Sequence, residues 1–80
     1  MPRSQSASAQ DQLQLLLRQV RSEAALTQTD VAERVGQPQS FVSKYESGER
    51  RLDVLELRAV CSAMGISLAD FIRRLEQALR

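Results

Sequence analysis

The sequence predicts an all-α fold, a compact single domain of five short helices. Three observations carry this. From Asp11 to the C-terminus, apolar residues recur at three- and four-residue steps. Ser, Thr or Asp residues are followed three positions later by an acidic residue, the pattern that opens a helix. The chain's three glycines each fall where an apolar pattern stops. No stretch of five or more residues alternates as a strand would.

Leu13, Leu16, Leu17, Val20 and Ala24 form one face of helix 1, at about 10–24. Thr27, with Asp30 as its capping-box partner, opens helix 2. Val31, Ala32 and Val35 are its stripe, and Gly36 ends it. Pro38 suits the first position of helix 3, because its φ is already helical and its missing N–H would be unpaired there. That helix runs to about Ser47 before Gly48. Asp53 and Glu56 open helix 4, which carries Leu57, Val60, Cys61 and Met64 before Gly65. Ser67 and Asp70 open helix 5 the same way, with Leu68, Phe71, Ile72, Leu75 and Leu79 as its stripe. Residues 1–9 are mostly Ser, Ala and Gln and read as a disordered tail ahead of a domain at 10–80. The functional alternative is an arm carrying Arg3 into a nucleic-acid minor groove.

Composition removes whole classes of function. With 80 residues, the chain sits near the size at which a fold buries only about 60% of its unfolded surface. One cysteine excludes an internal disulfide, and cytoplasmic residence is expected. No histidine removes the commonest general base and, with the single cysteine, a protein-built zinc site. No run reaches the ~20 apolar residues of a membrane span, and the N-terminus has no signal-peptide core. There is no glycine-rich phosphate loop, no Ser/His or Cys/His pair and no room for a pocket. No enzyme, metal or cofactor is expected; a small binding module is. Cys61 lies on the apolar face of helix 4 and reads as core packing rather than a redox sensor.

The informative stretch is LTQTDVAERVGQPQSFVSKYESGERR, residues 26–51. Two short helices joined by a glycine turn have the spacing of a helix-turn-helix, at about 27–47. Stepping about 100° per residue along the second helix, Gln39, Ser40, Ser43, Lys44 and Ser47 fall in an arc of roughly 140°. Phe41, Val42 and Tyr45 face the other way. A merely solvated face usually mixes Glu with Lys, but here no carboxylate falls between Gln39 and Tyr45. Amides, hydroxyls and one ammonium suit base edges and phosphates.

The stretch closely resembles the phage lambda repressor/Cro-like, XRE-type helix-turn-helix family. Leu26-Thr27-Gln28, Val31-Ala32, Gly36 and Val42-Ser43-Lys44-Tyr45-Glu46-Ser47-Gly48 stand where that family has them, as does the Gly65-Ile66-Ser67-Leu68 link. The resemblance runs from about Leu16 to Phe71. It implies a five-helix domain that sets helix 3 in the DNA major groove, acting as a homodimer on a palindromic or quasi-palindromic operator. It also implies that Gln28 contacts phosphate and supports the start of helix 3, and that Gln39, Ser40, Ser43 and Lys44 contact bases or phosphate. Phe41 either touches a thymine methyl or packs at the domain edge. Arg21 and Glu46 look like the family's internal ion pair. Arg50 and Arg51 either reach the DNA backbone or form a solvated turn beside Glu49.

Two features stand apart. From Thr27 to Arg51 the positive residues Arg34, Lys44, Arg50 and Arg51 are balanced by Asp30, Glu33, Glu46 and Glu49. Non-specific DNA binding is therefore expected to be modest and its salt dependence shallow. Leu75 and Leu79 extend the helix 5 stripe beyond what a small core needs and are expected in a homodimer seam; alternatively, helix 5 folds back over helix 1 and covers Leu13. The sequence reads as a DNA-binding transcriptional regulator, with no attached ligand-binding or catalytic domain expected. Its length fits a restriction-modification controller, a small phage-type repressor or an antitoxin. The rival from another class is a protein-interaction module with little DNA affinity, favoured by the neutral charge balance and the apolar end of helix 5.

Overall fold

The computed structural model describes residues 8–80, so the expectations for the tail and Arg3 lie outside the described residues. Five helices follow one another: α1 (Ala9–Glu23), α2 (Gln28–Val35), α3 (Gln39–Ser47), α4 (Val54–Ala63) and α5 (Leu68–Ala78). None is long and apolar enough to cross a membrane.

The helix starts follow side-chain chemistry. Thr27 and Asp30, and Asp53 and Glu56, form full capping boxes, each side chain bonding the other residue's backbone N–H. A third box, Ser8 with Asp11, opens α1 one residue earlier than expected and draws Ser8 and Ala9 out of the supposed tail. At α5 only half a box forms: the Asp70 N–H donates to Ser67 Oγ, while the Asp70 carboxylate pairs with Arg73. Pro38 is the N-cap of α3 rather than its first helical residue, because its ψ of 157° is extended.

The glycines end helices as expected, with Gly36, Gly48 and Gly65 at φ of 70°, 89° and 80°. α1 stops without one. Ala25 takes the left-handed conformation at φ 58°. Its N–H donates to Ser22 O, and the Leu26 N–H reaches back to Arg21 O at 3.1 Å, the paired bonds of a Schellman turn. The Arg21 side chain donates in turn to Leu26 O at 3.0 Å, closing the turn a second way.

One core joins all five helices. Leu16, Leu17 and Val20 of α1 meet Val31 and Ala32 of α2, Val42 and Tyr45 of α3, Leu57, Val60 and Cys61 of α4, and Phe71 of α5. Burial pushes the Cys61 thiol up to about 11, so it remains a neutral packing group, as the sequence suggested. The Tyr45 ring is enclosed, but among the described residues its hydroxyl finds no hydrogen-bond partner. Burial raises its phenol above the ordinary value of 10.0. The apolar stripes run past the core at their ends: Ala24, Ile72 and Leu79 are exposed. Leu75 and Leu13 both lie half-buried against the core, where α5 packs on α1. Arg74 of α5 grips Glu23 of α1 with both guanidinium nitrogens, at 2.8 and 2.9 Å. The expectation of no pocket fails. The ends of α2, α4 and α5 enclose an open groove of about 910 Å³.

Two predictions follow from these contacts. A left-handed alanine costs about 1–2 kcal/mol, partly offset by the greater unfolded freedom of glycine. Ala25→Gly should therefore stabilise the fold by about 0.5–1 kcal/mol and raise Tm by a few degrees; a lower Tm refutes the strain. The second concerns acid. The Arg74 hydrogen bonds hold Glu23, the Thr27 backbone N–H holds Asp30, and the Arg50 hydrogen bonds hold Glu56 below their ordinary carboxylate values of 4.5, 3.8 and 4.5. As pH falls, the unfolded chain takes up these protons first. Stability should stay level at neutral pH and decline once pH drops below about 4.5. Urea midpoints measured across that range check it, and Arg74→Gln should flatten the decline.

Candidate nucleic-acid interface

The site is built around a charged group that the core hides. Glu46, near the C-terminus of α3, is 2% exposed. It is not isolated: Arg21 of α1 donates to both carboxylate oxygens, Nε at 2.7 Å and a terminal nitrogen at 3.0 Å. Hydrogen bonding to Glu46 raises the Arg21 pKa, outweighing the opposing effect of burial. Here the structure brings together the two residues read as an internal pair.

The chain of hydrogen bonds continues. Gln28 Nε2, at the start of α2, donates to Glu46 Oε1 at 3.0 Å. Gln28 Oε1 accepts from Gln39 Nε2, at the start of α3, at 2.6 Å. The direction is forced. A carboxylate only accepts, so the amide nitrogen of Gln28 faces Glu46 and its oxygen faces Gln39. Gln39 must then present its own nitrogen, leaving its oxygen and one N–H for whatever lies outside. Arg21, Glu46, Gln28 and Gln39 form one line from the core to the tip of α3.

Beyond Gln39, Ser40, Lys44 and Ser47 are exposed and Ser43 is half-buried, so the five polar residues of the helical-wheel arc do share an accessible side of α3. Val42 and Tyr45 face inward. Phe41 is half-buried, edge-on to Tyr45 with ring centroids 5.5 Å apart. The Arg50 guanidinium lies over the Phe41 ring at 4.8 Å. Packing thus occupies Phe41, as one of its two readings held.

Arg50 and Arg51 separate. Arg50 donates to both oxygens of Glu56, at 3.1 and 2.7 Å, and to Arg51 O, which fastens the α3–α4 loop to the start of α4. Its hydrogen bonds to Glu56 raise its pKa. Arg51 is exposed and forms no ion pair among the described residues. One residue was missed. Arg18 of α1 donates to Glu46 O at 3.2 Å and stands beside the end of α3. Its position three residues before Arg21 was the only available signal, since one turn of helix puts both on the same side. Also unforeseen are Val54 and Leu55 at the start of α4, 63% and 74% exposed.

Of the proposed seam, Leu75 turns inward and Leu79 is 44% exposed. The inward packing of Leu75 matches the alternative in which helix 5 folds onto helix 1.

A family model described as helix-turn-helix matches residues 17–71. Among solved structures, an XRE-family like protein from Pseudomonas syringae pv. tomato str. DC3000 is 42% identical, with 90% of this chain and 88% of that chain covered and a TM-score of 0.83. The clp gene regulator ClgR from C. glutamicum is 24% identical over 94% of this chain and 97% of its own, with a TM-score of 0.80. The restriction-modification controller protein C.Esp1396I, solved as a tetramer with its natural 35 base-pair operator, is 19% identical over 90% of this chain and 95% of its own, with a TM-score of 0.81. The last two similarities are likenesses of fold. No curated protein matches the chain.

The ion pair yields a prediction. Removing one partner of a buried pair leaves the other charge uncompensated, at a cost of about 3–5 kcal/mol. Arg21→Met should destabilise by that amount, and Arg21→Met with Glu46→Leu should be the more stable of the two variants. Chemical denaturation of both measures it. A single variant as stable as the parent would show that the pair is idle.

Proposed function

The chain belongs to the helix-turn-helix family, of XRE type, and on that premise we propose that it is a sequence-specific DNA-binding transcriptional regulator. The observation that carries the reading is the accessible face of α3, which is uncharged-polar apart from Lys44 and begins at a glutamine oriented from the core. In the major groove, Gln39 offers the acceptor and donor that match adenine N6 and N7. Ser40 and Ser43 hydrogen-bond base edges or phosphates, and Lys44 contacts guanine or phosphate. Gln28 and Arg50 act as positioning residues, because their polar groups are largely taken by Glu46 and Gln39, and by Glu56. Arg18, beside the end of α3, and Arg51, exposed in the loop that follows it, are the arginines we assign to phosphates.

The neighbour solved on its operator supports this use of the fold. We read the chain as a homodimer on a two-fold operator, with half-site centres about 10–10.5 base pairs apart or a multiple of that. Leu79 and the exposed edge of Ile72 contribute to its seam. Free positive charge near α3 is scarce, so base contacts, rather than a broad basic surface, supply much of the affinity.

The test is selection of duplexes from a random pool at about 0.1 M salt, followed by sequencing. The wild-type chain should enrich a two-fold motif. Lys44→Glu should lose the enrichment, whereas Gln39→Ala should relax one position of each half-site by about 1–3 kcal/mol. Folded wild-type protein that enriches nothing overturns the reading.

A further inference from the structure

The groove at the ends of α2, α4 and α5 has a character unlike the rest of the surface. Its lining combines the apolar Val35, Ala59, Ile66 and Leu68 with Ser62, Ser67 and the arginines Arg34 and Arg58. No carboxylate lines it. Among the described residues Arg18, Arg51 and Arg80 form no ion pair, while Arg21, Arg50, Arg73 and Arg74 are each neutralised by an Asp or Glu. Arg34 and Arg58 are not. Arg34 spends one N–H on Ala63 O, at 2.8 Å, which holds its guanidinium at the groove with its other donors unused by that bond. On its own helix Asp30 is engaged by the Thr27 N–H one turn earlier, and Glu33 adjoins Arg34 in sequence but forms no ion pair with it.

We propose that this groove docks an acidic segment of a partner protein, one whose carboxylates alternate with apolar side chains. The carboxylates would meet the two guanidinium groups, a pairing that Arg makes in a bidentate way. The apolar side chains would cover the apolar part of the lining. At about 910 Å³ the groove is as large as a small-molecule site, but it is open to solvent rather than enclosed, which leaves room for a peptide segment. No residue of α3 lines it, so an occupant would leave the polar face of the recognition helix clear. The inference goes beyond the DNA reading and does not depend on it.

The experiment is an NMR titration of the intact chain with a ten-residue peptide alternating glutamate with leucine and phenylalanine. Saturable amide shifts are expected at Val35, Ala59 and Ile66, with none at Gln39 to Lys44. Arg58→Glu changes a side chain with no ion-pair partner among the described residues, so the variant should keep the wild-type fold and bind at least about tenfold more weakly. A peptide with lysine in place of glutamate should not bind. Absence of saturable shifts, shifts centred outside the groove, or equal affinity in the variant would overturn the proposal. So would matching shifts from hexanoate alone, which would make the groove a small-carboxylate site.

Discussion

The ion pair between Arg21 and Glu46 is the constraint on which the rest is arranged. It is a costly thing to bury, since two charges leave water and regain the loss only through close, fully used hydrogen bonds. The structure meets that condition: Glu46 accepts from Arg21 twice and from Gln28 once, and Arg21 closes the turn after α1 on Leu26. Three helices are thereby referred to a single carboxylate. A hydrophobic pair could fill the same space, but it could not specify which way the Gln28 amide points. The charge does so, and through Gln28 it orients the first residue of α3.

The same bookkeeping resolves the neutral charge of the segment from Thr27 to Arg51. Counted along the chain, positive and negative residues cancel. In space no ion pair joins two of them among the described residues. Glu46 is consumed by Arg21 from outside the segment, Asp30 by the cap of its own helix, and Arg50 by Glu56 beyond it. Lys44 is left on the exposed side of α3, with Arg51 in the loop beyond and Arg18 from α1 beside the end of the helix. The net charge of the segment thus says little about the field at its accessible side, which depends on where pairs form.

Most of the fold could be read directly because its punctuation is local. A capping box needs two residues three apart, and a left-handed glycine needs only itself, so both are visible without tertiary knowledge. Where sequence reading slipped, the deciding interaction came from elsewhere. Ser8 looked like tail because its neighbours are small and polar, although it satisfies the same box as Thr27. Ala25 adopts a glycine's conformation because Arg21 and the Schellman bonds hold it there. Of the candidate site, the four side chains on α3 and the Arg21–Glu46 pair were legible, the latter through family resemblance. The capture of Arg50 by Glu56 and Phe41, the position of Arg18 and the groove between α2, α4 and α5 were not. Each depends on packing between helices whose relative placement no local pattern encodes.

The contact between the first and last helices has a consequence for how the domain opens. Glu23 and Arg74 are 51 positions apart, the longest hydrogen-bonded span described. Closing so long a loop adds only a logarithmic entropy cost, but that cost is recovered only after most of the chain is in place. The α1–α5 ion pair is partly exposed and Leu75 only half-buried, so this seam can loosen while Phe71 keeps α5 anchored in the core. Such an excursion would leave the line from Arg21 to Gln39 intact. The contact that joins the first helix to the last shares no residue with the hydrogen-bonded line that leads to the polar face of α3.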